Sequence, residues 1–333
     1  MITLRSAELT VGIAPHGARL ARLSAPDRDG TTGEVVLGLA EEDYPADRAY
    51  LGATVGRYAN RIAGGRFVLD GRAYEVPANE GTSALHGGPV GLDHAAFAAG
   101  GVREVPGGQA VTLRHTSPDG ESGFPGTLAV TVTYTVRGPE LHITIAATTD
   151  RPTVVNLTNH AYFHLGGGGP VGGHEVRLHA DRYLPVDDAL IPTGELAPVE
   201  GTPFDLRVPT AVDAGLAAGH PQLDVAGGYD HTFVVDDSGP RAGELRAAAH
   251  VREPVSGRTL TVLTDQPGVQ FYSGNMLDGS VVLHDGRRAG RREAFCLEPQ
   301  HFPDSPNRPE FPSTVLRPGE EHRTRILLRL GTD

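Results

Sequence analysis

Apolar and polar residues alternate along many short segments of this chain, as they do in strands with one buried face. Successive side chains of a strand point to opposite faces of a sheet, so a period of two indicates a half-buried strand. The clearest examples lie at 141–145, 175–180, 259–264 and 324–328. Helical periodicity is limited to two short stretches, 40–44 and 210–218. The pattern predicts an all-β chain.

Turn residues separate these strand segments. The chain contains 44 Gly and 26 Pro, well above their usual combined share of about 12%. Strands and helices do not alternate regularly, so a parallel β-α-β sheet is not expected. We predict one large antiparallel β-sandwich, a single domain over residues 1–333, with polar motifs in its long connections.

Charge and cysteine content narrow the partners and the compartment. The formal net charge is −12 and every basic residue is Arg, which provides no basic footprint for nucleic acid or an anionic membrane. The one cysteine, Cys296, cannot form an intrachain disulfide. The sequence shows no signal peptide and no run of about 18 apolar residues. We expect a cytoplasmic protein with a small-molecule partner; the sequence gives no sign of its oligomeric state.

Two short motifs resemble cofactor sites, and both are weak. Residues 167–172 match G-x-G-x-x-G, but a nucleotide site needs a helix after the motif, and here a strand is predicted. His160 and His164 are four residues apart, yet the Glu of a zinc-binding H-E-x-x-H motif is absent and no third ligand is nearby. Acid–base or ordinary buried histidines explain this pair better than a metal does.

Six segments are more polar than simple strands should be. Each could be a turn, because Asn and Asp bond to nearby backbone, or part of a site. Together they offer Asn, Arg, Asp, Gln, His, Glu and Tyr side chains, a set that can bind a neutral polyhydroxylated ligand. The segments are 56–62, 79–88, 155–163, 228–231, 268–275 and 296–305.

These segments resemble, in order, the motifs of the aldose 1-epimerase (galactose mutarotase) family. The matching stretches read GRYANRI, LHGG, NLTNHAYFHL, YDH, VQFYSGN and LEPQHFPDSPNRPEFPS. The resemblance runs from about Leu51 to the C-terminus, and its last motif is the most specific. It implies a β-sandwich of the galactose mutarotase type, an open sugar cleft, and neither a metal nor an organic cofactor.

The resemblance also implies a role for each matching position. Glu298 corresponds to the general base and His160 to the general acid, while His86 corresponds to a second active-site histidine near the ring oxygen. The sugar-binding positions implied in the same way are Asn60, Arg61, Asp230 and Gln270. The chain departs from the family beside the acid, where Ala161 and His164 replace the usual Ser and Asn.

The implied reaction is the opening and reclosing of a cyclic hemiacetal. A base removes the proton of the anomeric hydroxyl and an acid protonates the ring oxygen. A histidine charged at neutral pH needs a nearby anion, for which Asp230 and Glu298 are candidates.

Three other functions are weighed against this one. A hexose-6-phosphate epimerase would need arginines aimed at a phosphate, such as Arg57, Arg61 or the group at 287–292. A sugar-binding module would need no acid–base pair and often has Trp, which this chain lacks. A purely structural sandwich would not need so many polar motifs.

Overall fold

The computed structural model describes residues 1–236 and 244–333. Strands make up 43% and helices 10%, which confirms the all-β prediction. The strands of the first half are β1 (Ile2–Arg5), β2 (Thr10–Ala14), β3 (Arg19–Pro26), β4 (Thr32–Glu34), β5 (Thr54–Val55), β6 (Arg61–Ile62), β7 (Arg66–Leu69), β8 (Arg72–Glu75), β9 (Ala84–Leu85), β10 (Ala98–Ala99), β11 (Arg103–Val105), β12 (Gly108–Ser117), β13 (Leu128–Arg137) and β14 (Glu140–Thr149).

The second half continues with the strands that carry much of the core and the site. They are β15 (Thr153–Val154), β16 (Thr158–Asn159), β17 (Tyr162–Phe163), β18 (Glu175–Leu178), β19 (Arg182–Tyr183), β20 (Ala197–Pro198), β21 (Thr210–Ala211), β22 (Asp230–Val234), β23 (Arg246–Arg252), β24 (Arg258–Thr264), β25 (Gly268–Tyr272), β26 (Phe295–Gln300), β27 (Val315–Leu316) and β28 (His322–Thr332). The α-helices are α1 (Val212–Ala217) and α2 (Pro221–Ala226), and short 3-10 segments lie at Glu41–Ala46, Ala63–Gly65, Leu92–His94, Glu121–Gly123, Val171–Gly173 and Ser305–Asn307.

The periodic segments of the sequence fall within the expected elements. Residues 141–145, 259–264 and 324–328 lie inside β14, β24 and β28, and most of 175–180 forms β18. The stretch at 40–44 overlaps a 3-10 segment, and 210–218 contains β21 followed by α1. The glycine-rich segment at 167–172 leads through a short 3-10 segment into β18, so the helix that a nucleotide site requires is absent there.

Two large antiparallel sheets form the sandwich. In the part of the chain that the structure describes, the larger sheet has ten strands in the order β10-β12-β13-β14-β28-β24-β23-β18-β21, with β11 also paired to β12. The smaller sheet has six, in the order β17-β26-β25-β22-β19-β20. Their apolar faces meet in one core, where Val132 and Ile143 of the larger sheet join Phe271 and Leu297 of the smaller.

The strands β25 and β26 of the six-stranded sheet are buried on both faces. Phe271 and Leu297 are paired across β25 and β26 and belong to the core. The next pair, Gln270 and Glu298, must therefore point to the opposite face. Asp230 begins β22 in the same sheet. This placement corrects the expectation that polar motifs lie in long connections, because these three polar residues all lie on strands.

Smaller antiparallel sheets accompany the two large ones. β1–β4 form a four-stranded sheet, and β16 pairs with β5, β6 with β9, β7 with β8, and β15 with β27. These pairs bring the polar segments at 56–62, 79–88 and 155–163 together. Among the described residues, none of the helices has the length and apolar character needed to cross a membrane. The single-domain assignment for 1–333 stays a prediction.

Candidate active site

A cleft of about 770 Å³ opens beside the six-stranded sheet, a volume typical of small-molecule sites. It collects residues from all six polar segments, and Tyr272 is the contribution of the segment at 268–275. Gln270, of the same segment, does not line the cleft but donates a hydrogen bond to Asp230. The residues predicted from the sequence that line it are Asn60, Arg61, His86, His160, Asp230 and Glu298.

Glu298 lies on the floor of the cleft and is almost completely buried. Its Oε1 is 3.6 Å from Nε2 of His160. Its Oε2 has no hydrogen-bond partner within the described residues. Burial raises the pKa of this carboxyl well above its ordinary value, and Asp230 adds to the shift while Arg61 opposes it. An unpartnered carboxylate oxygen with raised proton affinity is suited to remove a proton from a bound hydroxyl.

His160 lies between β16 and β17 and is held by its own backbone. Its N–H donates to the carbonyl of Ala53 at 2.8 Å, and its carbonyl accepts from Gly52 at 2.9 Å. Burial lowers the pKa of His160 to about 4. The expectation of a resting imidazolium is therefore wrong for the free protein, because neither Asp230 nor Glu298 offsets the loss of solvent around the ring.

His86 follows β9 in a left-handed conformation with φ of 53°. The ring Nδ1 of His86 accepts from the backbone N–H of Asn60 at 3.2 Å. The backbone N–H of His86 donates to the carbonyl of Asn60 at 3.1 Å. A ring nitrogen that accepts a hydrogen bond carries no proton, so the neutral ring carries its proton on Nε2. Burial, with His160 and Arg61 nearby, lowers the pKa of His86 well below its ordinary value. His86 is thus a neutral hydrogen-bond donor rather than an acid.

A chain of polar contacts fixes one wall of the cleft. Arg61 donates from Nε and Nη2 to both carboxylate oxygens of Glu80, at 2.5 and 2.8 Å, and its Nη2 is 3.8 Å from Asp230. Gln270 donates to Oδ1 of Asp230 at 2.7 Å and accepts from Thr232 at 2.5 Å. Gln270 therefore orients Asp230, whose remaining acceptor capacity can receive hydroxyl groups of a ligand.

Sequence reasoning did not single out several side chains of the cleft. Glu80 lies in a polar segment, but its bidentate pairing with Arg61 becomes visible only in three dimensions. Tyr50 and Tyr272 line the cleft although aromatic residues usually indicate core. A signal for Tyr50 would have been its position directly before Leu51, where the resemblance begins.

The departures from the family pattern point away from the cleft. Nδ1 of His164 accepts from the backbone of Gly166 and Gly168, both at 3.1 Å. Its ring packs edge-on against His174, with the ring centroids 4.8 Å apart. His160 and His164 thus have different surroundings despite their spacing: His160 lines the cleft and His164 packs against His174.

A different trio, His86, His160 and Glu298, has ligand atoms within 4.8 Å of one another, close enough to hold a metal ion. The hydrogen bond from Asn60 opposes this use of His86, because it occupies the Nδ1 lone pair and leaves the proton on Nε2. The tautomer of His86 therefore favours a role as a donor to an oxygen of the ligand.

We expect dialysis against EDTA to leave the activity of the protein unchanged, because Glu298 and His160 would need no ion in the base and acid roles that the resemblance implies. The measurement is the initial rate of the catalysed reaction before dialysis, after dialysis, and after addition of zinc. Loss of activity that zinc restores would show that the trio binds a metal and would overturn the assignment of His160 as acid.

Comparisons with known proteins agree with one another. The family described as aldose 1-epimerase matches residues 1–329. Galactose mutarotase of Rattus norvegicus is 46% identical, and the alignment covers 96% of this chain and 90% of the relative. Aldose 1-epimerase of Escherichia coli is 39% identical, with coverage of 97% and 92%. A solved GalM/aldose epimerase homologue from C. elegans superimposes with a TM-score of 0.89 at 32% identity, covering 98% of this chain and 96% of that one.

Proposed function

This chain belongs to the aldose 1-epimerase family and is an isomerase that interconverts the anomers of an aldose, and we propose that Glu298 and His160 carry the reaction. The substrate is a neutral hexose such as galactose or glucose. The observation that supports these roles is the separation of 3.6 Å between Glu298 Oε1 and His160 Nε2 in the cleft. The two oxygens that exchange protons with them, O1 and O5, are bonded to the same carbon. The base and the acid must therefore be close neighbours.

The reaction conserves one proton within the pair. Burial favours the form in which the single proton of the pair lies on Glu298, so this proton must first move to His160. The Glu298 carboxylate then takes the proton from the O1 hydroxyl while the His160 imidazolium gives its proton to O5, and the C1–O5 bond breaks to leave an aldehyde. Rotation about C1–C2 presents the other face of the carbonyl. Ring closure then returns a proton from Glu298 to O1 and moves the O5 proton to His160, so the net reaction inverts only C1.

The cleft supports this chemistry better than glycoside hydrolysis. Hydrolases place two carboxyl groups about 5 to 9.5 Å apart, and water or a carboxylate attacks the anomeric carbon. Here the partner of Glu298 is a histidine at closer range. The donor Nε2–H of His86 adds a hydrogen bond to an oxygen of the sugar, while Asp230, Asn60 and Arg61 orient the ring.

A phosphorylated substrate is disfavoured because the arginines have other partners. Arg57 points away from the cleft and donates to Ser117, Pro118 and Gly126. Arg61 is bound to Glu80. The cluster at 287–292 donates to Asp285 and to the backbone of Gly227 and Gly279.

NMR measurement of the exchange between the two anomeric signals tests this preference. We expect the protein to accelerate the exchange for glucose and galactose. Stronger acceleration for glucose 6-phosphate would overturn the preference for a neutral sugar.

The activity should follow a bell-shaped dependence on pH. Below the lowered pKa of His160, about 4, the pair gains a second proton and Glu298 can no longer accept one. Above the raised pKa of Glu298, the pair loses its last proton and has none for O5. With ordinary pKa values, deprotonation of His160 would set the alkaline limb and protonation of Glu298 would set the acid limb. Burial reverses this assignment.

The measurement is kcat/KM against pH, corrected for the spontaneous reaction at each pH. We expect activity to persist through neutral pH and to fall at both extremes. A fall as the pH rises through 6.5, the ordinary pKa of histidine, would contradict the one-proton account. Such a fall would mean that the active enzyme starts with a protonated His160, and that activity is lost when this histidine is deprotonated with an ordinary pKa.

We also propose a cytoplasmic location. Cys296, the one cysteine, is a free and buried thiol on β26, as expected for a protein that functions in a reducing compartment.

A further inference from the structure

Two tyrosine rings stack against the imidazole of His160. The ring of Tyr162 is 5.0 Å away between centroids with an interplanar angle of 27°, and that of Tyr50 is 5.9 Å away at 28°. Tyr50 also tilts against His86 at 4.7 Å. Both tyrosines line the cleft. The roles proposed above do not include Tyr50, although it contacts both active-site histidines.

The backbone around Tyr50 is held firmly in an unusual conformation. Tyr50 has φ of 59°, a left-handed geometry that residues with a side chain seldom adopt. The buried carboxylate of Asp47 accepts from the N–H groups of Ala49 and Leu51 at 2.9 and 2.8 Å. Asp47 is in turn paired with buried Arg19 at 2.7 Å. A conformation fixed this strongly at a site is a sign of a specific role for its side chain.

The same segment is joined directly to the backbone of His160. Gly52, two residues after Tyr50, donates to the His160 carbonyl at 2.9 Å, and Ala53 accepts from the His160 N–H at 2.8 Å. The Tyr50 ring and the His160 ring are therefore parts of one rigid unit, so the angle between them is set by the fold.

Given the proposed acid role of His160, we propose that Tyr50 is a positioning residue that holds the imidazole toward Glu298 and stabilises the imidazolium that opens the ring. The face of an aromatic ring carries partial negative charge and attracts a cation stacked on it. The phenol stays neutral in this role, because burial, together with Asp93, Glu80 and Asp47, raises the pKa of Tyr50 to about 12. The ring thus favours the charged histidine without placing another ion in the cleft.

Tyr50 acts among several ionisable groups that surround His160, and it can be changed without changing their charge. The groups on the neighbouring elements are Glu298 and Cys296 of β26, Tyr162 of β17, His86 after β9, and the Asp47–Arg19 pair. Replacement of Tyr50 by Leu or Phe leaves all of them in place.

The test compares Tyr50→Leu with Tyr50→Phe in the full chain. Removal of the aromatic face should lower kcat about 3- to 30-fold, change KM much less, and move the acid limb of the kcat profile to lower pH. That direction follows because the limb records formation of the imidazolium, which would be less stable without the ring. Tyr50→Phe keeps the ring and should restore both kcat and the position of the limb. Tyr74→Leu is the matched control, since Tyr74 stacks on Phe67 outside the cleft.

Each other outcome overturns the inference. An acid limb that moves to higher pH in Tyr50→Leu would show that the ring only excludes water, since hydration favours the charged histidine. A raised KM with unchanged kcat would make Tyr50 a platform for the sugar. If the wild type is active, His160→Asn is inactive and the kinetics of Tyr50→Leu are unchanged, the role of Tyr50 is refuted while the proposed function stands. An inactive wild type would instead refute the proposed function.

Discussion

Replacement of Glu298 by Gln should reduce kcat by about 100- to 10,000-fold, the usual effect of removing one acid–base group. The amide has nearly the shape of the carboxyl but cannot accept the O1 proton. Because the proposed sugar contacts come from Asp230, Arg61 and Asn60, KM should change little. The measurement is the kcat and KM of purified Glu298→Gln on galactose, with the spontaneous rate subtracted.

The same variant should be at least as stable as the wild type. The pKa of Glu298 is raised in the folded protein, so ionisation of this group costs stability as the pH rises above its unfolded value. Gln cannot ionise and avoids that cost, so its Tm at neutral pH should be equal or higher. Glu253→Gln is the matched control, because Glu253 is a buried carboxylate that accepts from the backbone of Val255 and Ser256. It should keep full activity. Near-normal activity of Glu298→Gln would remove Glu298 from the role of base.

The second large effect is expected for the acid. His160→Asn deletes the group that protonates O5, an interaction that strengthens as the ring bond breaks, so kcat should fall by about 100- to 10,000-fold. His86→Asn can still donate a hydrogen bond from its amide. The kcat of His86→Asn should fall by about tenfold or less, the effect of weakening a single hydrogen bond.

The two histidines are distinguished by the groups around their ring nitrogens rather than by their sequence motifs. Nδ1 of His86 accepts from Asn60 and therefore has no free lone pair for a proton, whereas Nε2 of His160 lies 3.6 Å from the carboxylate of Glu298, with which it can exchange a proton. Determination of kcat and KM for both variants decides between the two histidines. If His86→Asn lost more kcat than His160→Asn, the two assignments would have to be exchanged.

Local pattern was enough to predict the strands, whereas the site depended on pairing between distant segments. The alternation at 141–145 marks β14 directly, because burial of one face requires a period of two. Nothing near Glu298 shows that it lies opposite Gln270, because that register joins β25 and β26 across a sheet. The bond from Gln270 to Asp230 depends in the same way on the pairing of β22 with β25.

Protonation was the property least accessible from sequence. The expectation of a charged His160 considered only neighbouring anions, but the loss of water around the ring has the larger effect and lowers its pKa to about 4. Burial depends on the packing of segments far apart in the chain, such as the one that carries Tyr50. The family resemblance indicated which residues meet in the cleft, and the three-dimensional structure was needed to give their proton states.

Polarimetry on freshly dissolved α-D-galactose tests the central claim most directly. The optical rotation drifts to its equilibrium value without enzyme, and catalysis shortens the time without changing the end point. We predict that wild-type protein accelerates this approach in proportion to its concentration, and that Glu298→Gln at the same concentration leaves the rate near the spontaneous one. Equal acceleration by the two proteins, or none by the wild type with either α-D-galactose or α-D-glucose, would contradict the account.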